Sequence, residues 1–242
     1  MRTWVEISSR AAKKNYETLR KLVSPETKLW VVVKSNAYGH GISVFSKLVN
    51  GFGVDGFCVD SLVEGIKLRK EGIKKHILVL GHTLPSRYEE AAKNNITITV
   101  SNFEALQGLS RIKITPLFHM KIDTGMHRQG FYLADIPRVI KFLKAKDHDL
   151  KAKFSGIYTH FASAKDINYP TFTELQFASF NKAAKSFERA GFGNLVKHCA
   201  ATGAALINRK YHCDAVRIGI GFYGLWPSRE LEVQLSKKIK LY

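Results

Sequence analysis

Eight short apolar runs, each followed by a stretch with helical spacing, constrain the fold of this 242-residue chain more than any other feature. The runs end at Lys34, Val59, Leu80, Val100, Ile122, His160, Cys199 and Ile220, and most are rich in β-branched residues. Strands of that length need partners on both sides, and the intervening segments are long enough for helical crossovers between parallel neighbours. The helices carry their own punctuation. Ser8 or Ser9 is placed to cap a helix through about Val23, Asp60 or Ser61 one ending at Gly72, and Ser101 one over Phe103–Leu109. Further strands are expected over Thr115–Ile122 and Ala152–His160, and a helix over Thr171–Ala190. Strand and helix alternating through eight units in roughly 200–250 residues predict an α/β fold, a (β/α)8 TIM-like barrel.

Composition narrows the class. At 45% hydrophobic residues the chain can bury a full core, and no apolar run approaches the roughly 20 residues that span a bilayer. The N-terminus lacks the apolar stretch of a secretory signal, so the expected location is the cytoplasm. Three cysteines, Cys58, Cys199 and Cys213, lie in apolar contexts and suit reduced thiols. The net charge of +18 raises nucleic acid or an anionic membrane as partners. The basic residues, however, interleave with apolar ones at helical spacing, as on solvated helix faces, and neither partner is expected.

In a barrel of this kind the chemistry lies at the C-terminal ends of the strands. Lys34 follows the run LWVVV in Leu29–Gly41, and the turn after it holds two glycines. A lysine at such a place either snorkels to water or serves as a Schiff-base nucleophile or proton-transfer base. Asp123 to Arg128, His160, His198 to Thr202, and Arg217 to Gly221 occupy other strand ends. A nucleophile pair from His198 and Cys199 is disfavoured because adjacent strand residues face opposite ways. His119, Asp123, His127 and His160 lack the spacing of a metal site, and none is expected. Gly219-Ile220-Gly221 could offer backbone amides to a phosphate, with the Thr202 hydroxyl and the Tyr38 phenol as further donors. A lysine amine beside a phosphate cradle suggests pyridoxal 5′-phosphate.

Five motifs then appear in order: VVVKSNAYGHG at 31–41, KIDTGMHRQGF at 121–131, THFASA at 159–164, HCAATGAA at 198–205 and VRIGIGFYGLWPS at 216–228. With them the chain resembles the alanine racemases, pyridoxal-phosphate enzymes whose N-terminal domain is a barrel. The resemblance implies that residues 1–228 form that domain. It also implies that Lys34 would hold the cofactor covalently and exchange a proton on the D face of the substrate. Tyr38, Thr202, Gly219 and Ile220 would bind the phosphate, and Arg217 would face the pyridine nitrogen. His160 and His198 would orient the ring and the arginine. Arg128 would meet the substrate carboxylate, and Lys121 matches a lysine that is carbamylated in some members.

Two departures stand out. Ala201-Thr202 replaces the Asn-Ser common in the family, which keeps the hydroxyl and loses an amide. The family also continues into a β-rich second domain that supplies, across a homodimer interface, a tyrosine for the opposite face. Residues 229–242 are expected to be a linker or the first strand of such a domain. The function implied is interconversion of L- and D-alanine for peptidoglycan precursors, weak or absent in this polypeptide alone. The alternative is a single-domain pyridoxal-phosphate barrel that carries the cofactor without turnover.

Overall fold

The computed structural model describes residues 3–146 and 148–242. Its eight strands are β1 (Lys28–Val32), β2 (Gly56–Val59), β3 (His76–Val79), β4 (Ile98–Val100), β5 (Phe118–Lys121), β6 (Phe154–Tyr158), β7 (Val196–His198) and β8 (Ala215–Ile218). All pairings are parallel, in two four-stranded runs ordered β3-β2-β1-β8 and β4-β5-β6-β7. Single bridges from Leu78 to Thr97 and from Ala201 to Arg217 join the runs at both edges and close the ring. The result is the (β/α)8 barrel expected from the alternation, and among the described residues closure leaves no strand edge open to another chain.

Local chemistry accounts for the crossover helices. Ser8 caps Ser9–Leu22 by accepting from the Ala11 amide, and Ser61 forms a reciprocal capping box with Glu64 at the start of Leu62–Lys70. The cap of Phe103–Leu109 is Asn102, one residue beyond the expected Ser101; its side-chain oxygen accepts from the Ala105 amide at 2.8 Å. Ala152 and Lys153 belong to a short helix, His148–Lys153, and not to the sixth strand. An aspartate in its first turn and lysines in its last suit the helix dipole. Within 229–242, the stretch expected to be a linker or a first strand, Arg229–Leu235 is a helix capped by Ser228. Among the described residues no helix is long and apolar enough to cross a membrane.

The barrel interior is built in layers. Trp30, His76, His119 and His198, one from each odd strand, meet ring to ring, with Trp30 4.8 Å from His76 and 4.9 Å from His198, and His119 5.1 Å from His198. Four rings fit at one level only because the even strands give way there. A Cβ on Gly56 would lie 2.8 Å from Trp30, and one on Gly156 would lie 2.6 Å from the His119 ring. The level above comes from the even strands: Thr99 shares a hydrogen bond of 2.9 Å with Tyr158, and the Arg217 guanidinium lies 5.1 Å over the Tyr158 ring. Such alternation of strands between layers is the packing rule of these barrels. The larger apolar core lies outside the ring, between strands and helices, and includes Phe45, Phe57, Phe118, Phe180 and Phe187.

Candidate active site at the C-terminal rim

Above these layers opens a cavity of about 590 Å³. Lys34, Tyr38, Lys121, Arg128, His160, Thr202, Arg217, Gly219 and Ile220 all line it. These residues are scattered through most of the sequence, and the fold gathers them at one end of the barrel. His198 is the exception among the expected site residues. It lies beneath the cavity, fully buried, and touches two of its lining residues, bonding to Arg217 and stacking on the Tyr158 ring at 4.7 Å.

The apolar run places Lys34 at the end of a strand, but β1 stops at Val32 and the lysine begins an unusual turn. Ser35, Asn36, Ala37 and Tyr38 are all left-handed, with φ between 52° and 56°. Each non-glycine residue held there costs on the order of 1–2 kcal/mol. The surroundings enforce the turn: the Ala37 side chain is buried, and the Asn36 side chain accepts from the Ile42 amide at 2.9 Å. Glu64 Oε1 accepts from the Asn36 amide at 3.2 Å. The glycines at 39 and 41, also at positive φ, return the chain to the next helix. Strain of this kind concentrates at functional positions, and here it turns Lys34 and Tyr38 into the same cavity. The Lys34 amine is half-buried and lies 3.6 Å from Asp60 Oδ1.

Beside β1, the backbone after its neighbour β8 passes close to two hydroxyls. Thr202 Oγ1 accepts from the amides of Gly219 and Gly221 at 3.2 and 3.4 Å. A Cβ on Gly219 would stand 2.7 Å from the Tyr38 hydroxyl, and one on Gly221 would stand 2.6 Å from the Thr202 methyl. The glycines therefore keep open a cradle in which amides and two hydroxyls converge, the donor set a phosphate ester needs. The Tyr38 ring in turn packs, tilted, at 4.9 Å from that of Tyr223, whose hydroxyl donates to the Val32 carbonyl at 3.0 Å.

The charge of the cavity points the same way. Its lining brings Lys34, Lys121, Arg128 and Arg217 against one carboxylate, Asp60. Burial, then the neighbouring Arg217, Lys121, Arg128 and Lys34, push the His160 imidazole down to about 3, so the ring is neutral. Lys121 is buried, and burial followed by the repulsion of Arg128 and Arg217 pushes its amine down to about 7. Four basic groups with so little compensation fit an anionic occupant, and pyridoxal phosphate fits both the charge and the donor set.

The arginine floor is fixed by hydrogen bonds and not by a carboxylate. Arg217 Nη1 donates to His198 Nδ1 at 2.5 Å and to the His198 carbonyl at 3.1 Å, while Nη2 donates to the carbonyls of Thr159 and Cys199 at 2.8 and 3.2 Å. A guanidinium has only donors, so His198 Nδ1 must accept and Nε2 must carry the proton. That proton is donated to His119 Nδ1 at 2.8 Å. Burial, joined by Arg217, holds the His198 ring well below its ordinary pKa; burial does the same to His119, with His76 and Arg217 adding to it.

Arg128 is aimed by its loop. Asp123 accepts from the amides of Gly125 and His127 through Oδ1 and of Arg128 through Oδ2, all within 3.0 Å. Burial alone would raise that carboxyl, but these amide bonds outweigh it and hold it below its usual value. Asp60, Gln129 and Tyr158 also line the cavity and are not among the expected site residues; Gln129 lies within the 121–131 motif, Asp60 and Tyr158 outside all five. Tyr158 is legible in principle, since it precedes His160 by two and shares its strand phase. Among the described residues no group of three or more histidine, cysteine or acidic side chains could hold a metal ion.

The depressed Lys121 amine gives a stability prediction. At this group the unfolded chain binds the extra proton between about pH 7 and the ordinary lysine value near 10.4, so the contribution of Lys121 to stability rises with pH across that window. The buried Cys58 thiol, pushed up to about 12, acts in the opposite sense at the alkaline end, so the lysine is read against a variant that shares that thiol. Urea unfolding of the ligand-free chain at the two ends should show the parent gaining roughly 3–4 kcal/mol relative to Lys121→Met. An equal change in parent and variant would assign the pH dependence to other groups.

The sequence model described as alanine racemase, N-terminal domain, matches residues 7–227. An alanine racemase of Listeria monocytogenes is 36% identical over 239 residues, and one of Carboxydothermus hydrogenoformans is 35% identical over 237. The matches cover 98% and 96% of this chain but 63% of each relative, so the chain spans just under two thirds of their length. Among solved structures, alanine racemase from Bacillus anthracis with bound L-Ala-P superposes with a TM-score of 0.90 at 30% identity, covering 99% of this chain and 62% of that one. Alanine racemase from Clostridium difficile gives 0.88 at 30% identity, covering 100% and 62%.

Proposed function

We propose, from the premise that this chain belongs to the alanine racemase N-terminal domain family, that it is the cofactor-binding barrel of a racemase interconverting L- and D-alanine. One observation carries the proposal: a lysine amine after β1 and a glycine-lined cradle of hydroxyls and amides after the neighbouring β8 line one strongly cationic cavity. When bound, pyridoxal phosphate supplies an electron sink that acidifies the α-proton of an amino acid. Lys34 would hold the group covalently and move a proton at the alanine α-carbon. Tyr38, Thr202, Gly219 and Ile220 would hold the phosphate. Arg217, already donating through both terminal nitrogens, would meet the ring nitrogen without surrendering a proton. His160, neutral, would orient the ring beside it, while His198 would hold the arginine from below.

Arg128 would receive the substrate carboxylate. An amine titrating near 7 is half unprotonated at neutral pH, so Lys121 could add carbon dioxide, release one proton and give Arg128 an anionic partner. The kinship, more than the cavity, supports the wider reading: a homodimeric enzyme in the cytoplasm, supplying D-alanine for peptidoglycan.

Racemisation needs a base on one face of the α-carbon and an acid on the other. Lys34 supplies one. The 242-residue polypeptide by itself is therefore expected to take up pyridoxal phosphate and to exchange the α-proton of D-alanine with solvent faster than it interconverts the enantiomers. Borohydride reduction followed by peptide mapping, with deuterium uptake into each enantiomer, tests both. A reduced label away from Lys34 would overturn the assignment. Capture without exchange into either enantiomer would favour a barrel that carries the cofactor without turnover.

A further inference from the structure

Away from the cavity, two of the three cysteines touch. Cys199 Sγ lies 3.7 Å from Cys213 Sγ. Cys199 faces out of the barrel wall into the apolar core, opposite to His198, and is fully buried; Cys213 is partly exposed. The pair is clamped from both sides. The Asp214 amide donates to the Lys197 carbonyl at 2.9 Å, and Asp214 Oδ2 accepts from the Lys197 amide at 2.7 Å. Thr27 donates to the Cys213 carbonyl at 3.1 Å, and Cys213 holds a left-handed φ of 50°.

We propose that Cys199 and Cys213 form a redox modification site, closing to an intramolecular disulfide on contact with a peroxide or a low-molecular-weight disulfide. The sulfurs must approach from 3.7 Å to about 2.05 Å. Access and acidity set the order of events. Cys213 is the more exposed member, and its thiol is lowered, first by its contact with the Cys199 thiol, against burial; that of Cys199, which donates to the Tyr211 carbonyl at 3.0 Å, is raised, chiefly by burial. The Cys213 thiol gives its proton to solvent and the thiolate attacks a peroxide oxygen. The O–O bond breaks, a sulfenic acid forms, and the departing alkoxide or hydroxide takes a proton from solvent to leave as alcohol or water. The Cys199 thiol then attacks that sulfur. The S–O bond breaks, water leaves with the thiol proton, and the S–S bond forms. Two electrons pass from the pair to the peroxide. With a low-molecular-weight disulfide instead, the Cys213 thiolate displaces one thiol to form a mixed disulfide and Cys199 displaces the second, so the same two electrons leave as two thiols. The site borders the cavity floor, because the Cys199 carbonyl also accepts from Arg217, yet it requires no bound cofactor and stands apart from the proposed racemase.

The test is treatment of the purified chain with hydrogen peroxide, or with glutathione disulfide, followed by denaturing thiol titration and mass mapping. The titre should fall from the three thiols of the sequence to one. A peptide linking residues 199 and 213 should appear two hydrogens lighter and be restored by dithiothreitol. Cys58, buried in the barrel, should stay reduced. Cys213→Ser, at the partly exposed position, should fold and lose the link. Oxidation of Cys213 to a sulfinic acid or a stable mixed disulfide, with Cys199 still reduced, would overturn the proposal, as would no loss of thiols.

Discussion

Lys34→Ala is expected to abolish covalent capture of pyridoxal phosphate and to lower any exchange at the alanine α-carbon by about 10⁴-fold, while leaving the barrel folded. The two effects separate because the lysine contributes chemistry and little stability. Its amine is half-exposed and its ion pair with Asp60 at 3.6 Å lies at the cavity mouth, a contact worth about 0–1 kcal/mol. The left-handed turn after it is enforced by Asn36, Ala37 and Glu64, none of which depends on the lysine side chain. Losing a positioned base typically removes roughly 10²–10⁴ in rate, and losing the covalent tether adds to that. Lys34→Arg sharpens the experiment, since it keeps a cation in the cationic cavity but cannot condense with an aldehyde at neutral pH. Both variants should unfold within about 1 kcal/mol of the parent in urea. A borohydride-stable adduct on the Lys34→Ala chain would defeat the assignment.

Much of this site can be read by counting in twos. Trp30 and Val32 point into the barrel, so Lys34 continues their phase; Gly156 and Tyr158 lead in the same way to His160, and Ala215 and Arg217 to Gly219. The barrel itself is legible because eight runs too short to stand alone must pair. The pattern cannot carry the conformation between elements. Nothing in KSNAY marks four consecutive left-handed residues, since Asn36 alone among them favours that region and tertiary contacts impose the rest. His119 shows another limit. In the sequence it offers only a weak metal ligand, and its actual partner, His198, is 79 residues away. The need for Gly156 is visible only once the His119 ring is in place beside it. The helix Arg229–Leu235 is masked by the family pattern, which directs attention to a β-rich domain beyond the barrel, although Ser228 and the acidic Glu230 and Glu232 mark a helix start.

The same buried polar chain yields the second large effect. Arg217→Met should destabilise the protein by about 2–4 kcal/mol, because the imidazole of His198 and three carbonyls lose their donor, partly offset by removing a desolvated cation. It should also change how the protein responds to acid. His160 is held near 3 by burial and then by Arg217, whereas an unfolded histidine titrates near 6.5. Between those values the unfolded state binds the extra proton, so the folded chain loses stability as pH falls through the window. Without the guanidinium the His160 value rises and the window narrows from below, so acid should cost the variant less than it costs the parent. Urea unfolding at about pH 7 and pH 4, with nitrogen-15 spectra of the histidines, reads both consequences. In the parent, His198 Nδ1 should appear as an unprotonated acceptor; in the variant that constraint is gone. Arg217→Lys provides a variant that keeps the charge, and it should retain the low His160 value while losing part of the four-way grip. A methionine variant of unchanged stability and unchanged His160 titration would mean that the arginine fills space in the barrel without organising it.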